Sequence, residues 1–151
     1  MNEWIIPAVA AAFTSYGFSL LFHINGYKIF IVSLGGALDW LIYLLSMNMN
    51  DNRILSFFIA TAVSALFAEI VARLIKAPVI TLIAPMLIPL VPGSDLYYST
   101  FALVRGHMED FSSYGTQLIF EVGAMSLGLI VIACFMQIYT RILTILKQKQ
   151  A

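Results

Sequence analysis

Charge is scarce in this sequence. Only 11% of its residues are charged and 61% are hydrophobic, whereas soluble domains carry about 25% charged residues. A mean hydropathy of +0.92 points the same way, so a soluble globular domain is excluded and an integral membrane protein is expected. The 8 basic and 8 acidic residues balance to a net charge of +0. Because no Lys/Arg-rich patch is interleaved with aromatics, nucleic acid is not an expected partner.

Cysteine and catalytic motifs are also scarce. Cys134 is the single cysteine and lies in an apolar run, so it can form neither a disulfide within the chain nor a cysteine-based metal site. His23 and His107 stand far apart and lack metal-ligand spacing. There is no HExxH, GxSxG or phosphate-binding loop. We therefore expect no metal, no cofactor and no enzymatic activity.

Long apolar runs make up most of the chain, and a membrane span needs about 20 such residues. Five spans are predicted, at residues 4–22, 27–46, 54–75, 77–91 and 115–146. The start of the chain lacks the positive region of a secretory signal, so the first span is expected to be retained. The fourth span would be only about 22 Å long as an ideal helix, which is short for a bilayer. It is therefore expected to be a shortened or broken helix, or one buried among its neighbours. The prediction is an all-α polytopic membrane helix bundle, a single domain over residues 1–151, with a short proline-broken fourth span.

The distribution of basic residues predicts the orientation. With five spans, six basic residues fall on one side of the membrane. The other two, Arg53 and Arg105, fall on the opposite side. The six are Lys28, Arg73, Lys76, Arg141, Lys147 and Lys149. The positive-inside rule then puts the N-terminus outside and the C-terminus in the cytoplasm. A fourth segment that re-enters on its own side is the alternative, and it would move the C-terminal tail outside.

Three acidic residues fall inside the predicted spans, namely Asp39, Glu69 and Glu121. A charge at mid-membrane costs about 2.5–3.5 kcal/mol on the translocon scale, so each is expected to face the bundle, a water-filled cavity or a partner. Their functional interpretation is a set of protonatable sites that couple solute movement to a proton gradient. A structural role stays open for each: Glu69 can pair with Arg73 at i,i+4, Asp39 can bond to a neighbouring helix, and Glu121 can reach external water. The remaining acids, Asp95 among them, are predicted outside the spans.

The stretch APMLIPLVPGSD places three prolines and a glycine in a segment apolar enough for a bilayer. Proline removes a helical hydrogen bond, so Pro89 would free the carbonyl of Pro85, and Pro85 that of Thr81. In lipid such groups are tolerated where protein or water covers them, and broken transporter helices use them to line a binding site.

The end of this stretch predicts a helix terminus. Pro92 and Gly93 end the segment, and Ser94 or Asp95 can cap a short interfacial helix over residues 96–104. A helix end aimed into a cavity suits a polar solute. Alternatively, the prolines only terminate a short span at the outer interface, with the following tyrosines as an aromatic belt.

Small residues recur every four positions in the third span, at Ala60, Ser64, Ala68 and Ala72. Such a seam predicts close helix contact in lipid.

Five segments carry a family resemblance: RLIKAP at 73–78, PMLIPLVPG at 85–93, LYY at 96–98, LFHIN at 21–25 and GGALDW at 35–40. Together they resemble the small membrane subunit of the threonine/serine exporter family. The resemblance implies a secondary exporter of small amino acids or, in some members, a dicarboxylate such as succinate, in a bacterial cytoplasmic membrane. It also implies a larger partner subunit with its own membrane spans. The catalytic-looking soluble region of the family belongs to that larger part and has no counterpart here.

We therefore expect one subunit of a proton-coupled exporter, acting as an oligomer. Its predicted substrate and ion pathway comprises Asp39, Glu69, Glu121, Pro85, Pro89, Pro92, Gly93 and Asp95. The predicted cytoplasmic mouth comprises His23, Arg73 and Lys76, whose positive charge would attract an anionic group. Two other readings stay open: a non-transporting assembly or scaffold subunit whose intramembrane charges bind a partner, and a passive channel.

Overall fold

A computed structural model describes residues 2–150, apart from the side chains of residues 2, 3, 143, 144 and 146–150. The predicted cytoplasmic positions of Lys147 and Lys149 therefore lie outside the described side chains. Six α-helices account for most of the described chain: α1 (Asn2–Leu21), α2 (Lys28–Asn50), α3 (Arg53–Leu74), α4 (Val79–Leu87), α5 (Gly93–Val104) and α6 (Met108–Gln150). A 3-10 turn, Ile88–Leu90, follows α4.

Local sequence explains where these helices begin and end. Asp51 ends α2 in the left-handed conformation with φ of 46°, which short polar side chains tolerate. One residue later, the Asn52 side chain caps α3 by accepting from the N–H of Leu55 at 3.1 Å. Glu109 and Asp110 lie in the first turn of α6, where the helix dipole favours negative charge.

Within the described residues, four helices are long and apolar enough to cross a membrane: Trp4–Leu21, Lys28–Asn50, Arg53–Leu74 and Met108–Ile142. A fifth crossing results if the pair Val79–Leu90 and Gly93–Val104, bent by 60°, is one broken span. The prediction of an all-α membrane bundle with about five spans and a broken fourth is thereby confirmed.

Helices that follow each other in the chain pack together, α1 on α2 and α2 on α3, while α6 packs on α3 and α5 packs on α6. The short helix α4 contacts α1, α2 and α3. Its buried residues Leu82 and Met86 belong to a core cluster with Ala65, Ala68 and Val32. One face of α4 therefore packs into the bundle, while Ile80 on this helix stays exposed.

The small-residue seam of α3 is buried as predicted. Ala60, Ser64, Ala68 and Ala72 are each at most 2% exposed. Gly128 of α6 contacts α3 beside this seam, where an added Cβ would lie 2.8 Å from the Phe58 carbonyl oxygen. Such close backbone approach is how membrane helices gain packing energy.

Two predicted helix starts need correction. The last helix begins at Met108, not near residue 115, and spans 43 residues. At about 64 Å it exceeds the roughly 40–45 Å of a bilayer with its headgroups, even when tilted. Its first turns pack against α5, which explains why a polar stretch is helical. The preceding helix begins at Gly93, not residue 96, with Pro92 at the N-cap and no side-chain capping bond, so Ser94 and Asp95 do not cap it.

Candidate functional site at the helix break

The break between α4 and α5 contains two prolines and a helix N-terminus that has no side-chain capping bond. Pro89 lies in the 3-10 turn and Pro92 at the N-cap of α5. Because proline has no N–H, neither residue can continue a helical hydrogen-bond ladder. No side chain caps α5, and the first N–H groups of a helix have no acceptor within the helix itself. The start of α5 therefore offers partial positive charge, and its first residues, Gly93 and Ser94, are exposed.

Three charged side chains meet beside this break, and we call them the Arg53 cluster: Arg53 at the start of α3, Asp95 in the first turn of α5 and Glu121 in α6. The Arg53 Nη2 donates to Asp95 Oδ2 at 2.6 Å and lies 3.0 Å from Glu121 Oε1. Asp95 is 4% exposed and Glu121 is fully buried, whereas the Arg53 side chain remains 35% exposed. The cluster joins three helices at the point where the fourth span is broken.

The Arg53 cluster is one positive charge short. Two carboxylates and one guanidinium sum to a net charge of −1 when all are ionised. Gln117 donates to Glu121 Oε1 at 3.3 Å, but Glu121 Oε2 has no hydrogen-bond partner in the described chain. Buried uncompensated charge is strongly unfavourable, so a proton or an incoming cation would stabilise the cluster.

A cavity of about 350 Å³ adjoins the cluster. Arg53 lines it together with the aromatic residues Trp40, Tyr43 and Phe57 and with residues 90–94 at the break. The ring centroids of Tyr43 and Trp40 are 5.6 Å apart and those of Tyr43 and Phe57 are 4.8 Å apart. The lining thus combines a cation, a helix N-terminus and aromatic rings, while Asp95 and Glu121 are not part of it.

Asp39 is a second buried acid, separate from the Arg53 cluster. It is 1% exposed on α2, and neither of its carboxylate oxygens has a hydrogen-bond partner among the described residues. Ser64 of α3 lies beside it, but the two groups do not form a hydrogen bond, and the Ser64 hydroxyl is also unpaired there. Within the described residues, no three His, Cys, Asp or Glu side chains come together as a metal site.

Comparison with known families matches residues 7–135 to the family described as threonine/serine exporter, ThrE. The chain belongs to the threonine/serine exporter family. The matched region includes the Arg53 cluster, Asp39 and the whole helix break. Comparisons with curated proteins and with solved structures gave no significant match. The predicted resemblance to this family is confirmed, and the chain is a multi-pass membrane protein of a transporter family.

In this exporter-family protein the three predicted membrane acids occupy different environments. Glu121 and Asp39 are buried. Glu69 instead pairs with Arg73 at 3.2 Å, and its side chain is 18% exposed. The Arg73 Nη2 also donates to the Met136 carbonyl of α6 at 3.4 Å. The structure therefore brings Glu121 together with Asp95 but leaves Asp39 and Glu69 elsewhere, and their role in a proton pathway stays a prediction.

The predicted proline and glycine positions all lie at or near the break. Pro85 is buried inside α4, while Pro92 and Gly93 line the cavity of the Arg53 cluster. Pro89 borders a second cavity of about 340 Å³, which Trp40 also lines. Asp95, predicted in an external loop, is buried, because its carboxylate turns to Arg53 rather than to solvent or to its own helix end.

The three residues of the predicted cytoplasmic mouth lie at one end of the bundle. His23 and Lys76 occupy turns in the left-handed conformation, with φ of 56° and 52°. Their neighbours Ile24 and Ala72 belong to the same core cluster, which places the two turns at the same end. His23, Arg73 and Lys76 are all exposed, and their role at a cytoplasmic entrance stays a prediction.

Sequence analysis missed Arg53, Trp40 and Gln117 as site residues. Arg53 was assigned only to the outer side. The predicted topology does contain one indication. It places only two basic residues, Arg53 and Arg105, on the outer side of the membrane, so a buried acid near that side has only these two as possible partners. No sequence signal indicated which faces of α3, α5 and α6 meet.

Proposed function

We propose that this exporter-family chain is one membrane subunit of a proton-coupled exporter of threonine- and serine-like amino acids, with small dicarboxylates such as succinate as the alternative substrate class. The observation that supports it best is the pair of buried carboxylates, Asp95 and Glu121, that share one arginine at the break of a membrane helix. Ionisable groups inside a membrane mark solute and proton pathways, and broken helices form transporter binding sites.

The charge deficit of the Arg53 cluster suggests how coupling works. A proton on Glu121 or Asp95 brings the cluster to neutrality while no solute is bound. A solute bound at these carboxylates excludes that proton, so the two occupy the cluster alternately. Asp39, buried without a hydrogen-bond partner among the described residues, is the second proton site of the path.

The path needs more than this chain. Four to five crossings leave little room for a solute route with two gates, and transporters commonly build such a route between related halves. We propose that the single domain of this chain assembles with a larger partner subunit in a bacterial cytoplasmic membrane. Its N-terminus lies outside and its C-terminus in the cytoplasm, because this orientation keeps most basic residues inside.

Efflux of preloaded threonine from cells that express the chain with its partner tests this proposal. Pro89→Ala, and separately the triple change Asp39→Asn, Glu69→Gln and Glu121→Gln, are expected to abolish proton-dependent efflux. The matched control is Glu109→Gln, which removes an exposed acid of the same helix as Glu121. Unchanged efflux in both test variants would contradict the proposal.

Two further measurements separate the alternatives. An uncoupler that collapses the proton gradient is expected to stop export, whereas export that continues unchanged would indicate a passive channel. Pull-down of the partner by Glu121→Gln is expected to be normal. If Glu121→Gln fails to capture the partner, and the wild-type complex shows no export activity, the chain is better explained as an assembly subunit.

A further inference from the structure

We propose that the proton of this exporter enters from the outer side through a polar groove at the start of α6, and that it reaches Glu121 when the Gln117 side chain moves aside. This inference rests on the proposed function and deepens it, because it names the route and the gate of the proton. The route is distinct from the cavity beside Arg53.

The groove is an open cavity of about 840 Å³. Ile54 of α3 lines it and directly follows Arg53 in the sequence, so the groove and the Arg53 cluster lie at the same end of the bundle. Most of its other lining residues come from the first turns of α6 and are polar: Glu109, Ser112, Ser113, Thr116 and Gln117. Hydroxyl, carboxylate and amide groups supply the partners that ordered water needs, so the groove can hold water.

A stripe of polar residues connects the groove with the buried acid. Glu109, Ser113, Gln117 and Glu121 recur at every fourth position, and such residues share one face of a helix. The stripe is about 18 Å long. Glu109 and Ser113 are exposed and Gln117 is half-buried, whereas Glu121 is fully buried. This face of α6 therefore leads from solvent to the cluster.

Gln117 closes the inner end of the groove. Its side chain lines the groove, and its Nε2 donates to Glu121 Oε1 at 3.3 Å. Glu121 itself is not part of the lining, so water in the groove stops at Gln117. A proton donor must lie within hydrogen-bond distance of its acceptor or one water away. Rotation of the Gln117 side chain away from Glu121 brings groove water to that distance.

The alternative entrance is the cavity beside Arg53, and the charges disfavour it. In the described part of the chain, the charged groups that face Glu121 from other helices are Arg53 of α3 and Asp95 of α5. Arg53 keeps its own proton, so it cannot pass one on. Moving Arg53 aside would leave two buried carboxylates without a cation, which is strongly unfavourable. Moving Gln117 aside breaks one neutral donor's bond, and that bond is longer than the usual range of about 2.7–3.2 Å.

The transfer itself is a single protonation. A protonated water in the groove loses its proton, and the new O–H bond forms at Glu121 Oε2, which has no hydrogen-bond partner among the described residues. The net charge of the cluster then changes from −1 to 0. No existing bond of Oε2 has to break for this step.

Hydrogen–deuterium exchange at the Glu121 carboxyl, followed by infrared spectroscopy of the purified complex of chain and partner, tests this route. The carboxyl band is assigned by its absence in Glu121→Gln. Ser113→Val combined with Thr116→Val removes two hydroxyl groups from the groove, and it is expected to slow the exchange by about tenfold or more. Gln117→Ala opens the inner end of the groove and is expected to speed the exchange. Proton-driven threonine efflux is expected to slow in the double variant as well.

Ser126→Val is the matched control, because it removes an exposed hydroxyl of the same helix outside the groove. It is expected to leave the exchange rate unchanged. Partial unfolding would speed exchange in every variant, so slower exchange in the double variant reports a blocked route.

Three outcomes separate this inference from the proposed function. If the wild-type complex exports threonine and shows the Glu121 band, but neither groove variant changes the exchange rate, the route is wrong and the exporter stands. Export without any protonated Glu121 band would overturn both the route and the role of Glu121 as a proton site. A wild-type complex that does not export threonine would overturn the proposed function itself.

Discussion

Two acid–arginine contacts in this molecule differ in almost every physical respect. Glu69 and Arg73 lie one turn apart on α3, and their side chains are 18% and 39% exposed. Arg53 and Asp95 stand 42 residues apart in the chain, on different helices, with Glu121 of a third helix beside them. The first contact is a local property of one helix, whereas the second exists only once α3, α5 and α6 have packed.

The charge balance differs as well. Glu69 and Arg73 neutralise each other, so their pairing is complete. The Arg53 cluster holds two acids for one cation and leaves Glu121 Oε2 unpaired among the described residues. A balanced exposed pair contributes little to stability, whereas a buried unbalanced cluster is costly unless something else binds there. This difference is why we assign the solute and the proton to the cluster and not to the pair.

The largest expected effect is the loss of stability in Arg53→Gln. This change leaves two buried carboxylates without their shared cation, and breaking a buried pair in this way typically costs about 3–5 kcal/mol. Denaturant-induced unfolding of the purified protein in detergent measures the effect.

Arg73→Gln is the matched control for this experiment and is expected to cost about 1 kcal/mol or less. Equal losses in the two variants would contradict the distinction between cluster and pair. Adding Glu121→Gln to Arg53→Gln is expected to recover part of the stability, because one of the two uncompensated charges is then removed.

The next effect is the coupling energy between the partners, measured by double-mutant cycles. For Arg53 and Asp95 we expect a coupling of about 1–3 kcal/mol, within the range seen for residues in one buried network. For Glu69 and Arg73 we expect about 0.3–0.5 kcal/mol, as for exposed i,i+4 pairs. The cycles use Arg53→Gln with Asp95→Asn, and Arg73→Gln with Glu69→Gln. Similar coupling energies in the two cycles would show that Arg53 is more solvated than the structure describes.

The same comparison explains what sequence could predict. The spans, the broken fourth segment and the Ala60–Ala72 seam follow from composition and from spacing along one helix. The contact of Glu69 with Arg73 could likewise be predicted, because it follows from their i,i+4 spacing on one helix. The Arg53 cluster was not, because it depends on which helix faces meet. Asp95 was misplaced for a related reason. A Pro-Gly pair is typical of a surface turn, and Gly93 is indeed exposed, but the first turn of α5 carries Asp95 onto Arg53 of α3, where it is buried.

A smaller effect on stability is expected from Glu121→Gln. Glutamine keeps the shape and an acceptor oxygen for Gln117, and Arg53 and Asp95 remain as a balanced pair. We therefore expect the free energy of unfolding to change by no more than about 1 kcal/mol, while proton-dependent threonine efflux is lost. Parallel unfolding and efflux measurements on one preparation test this. A variant that exports normally would remove Glu121 from the proton pathway, and a severely unstable variant would show that its charge is structural.

The smallest effect is expected from removing the local pair altogether. The double variant Glu69→Gln, Arg73→Gln deletes both charges of a balanced and partly exposed contact, so unfolding free energy is expected to change by less than about 0.5 kcal/mol. Because salt screens exposed charges far more than buried ones, the wild-type contribution of this pair is also expected to fade between low and high ionic strength, while that of the Arg53 cluster persists. Unfolding curves at two salt concentrations measure both. A double variant as unstable as Arg53→Gln would contradict this expectation. It would show that the hydrogen bond from Arg73 to the Met136 carbonyl is a main contact between α3 and α6, so that this pair, like the cluster, stabilises tertiary packing.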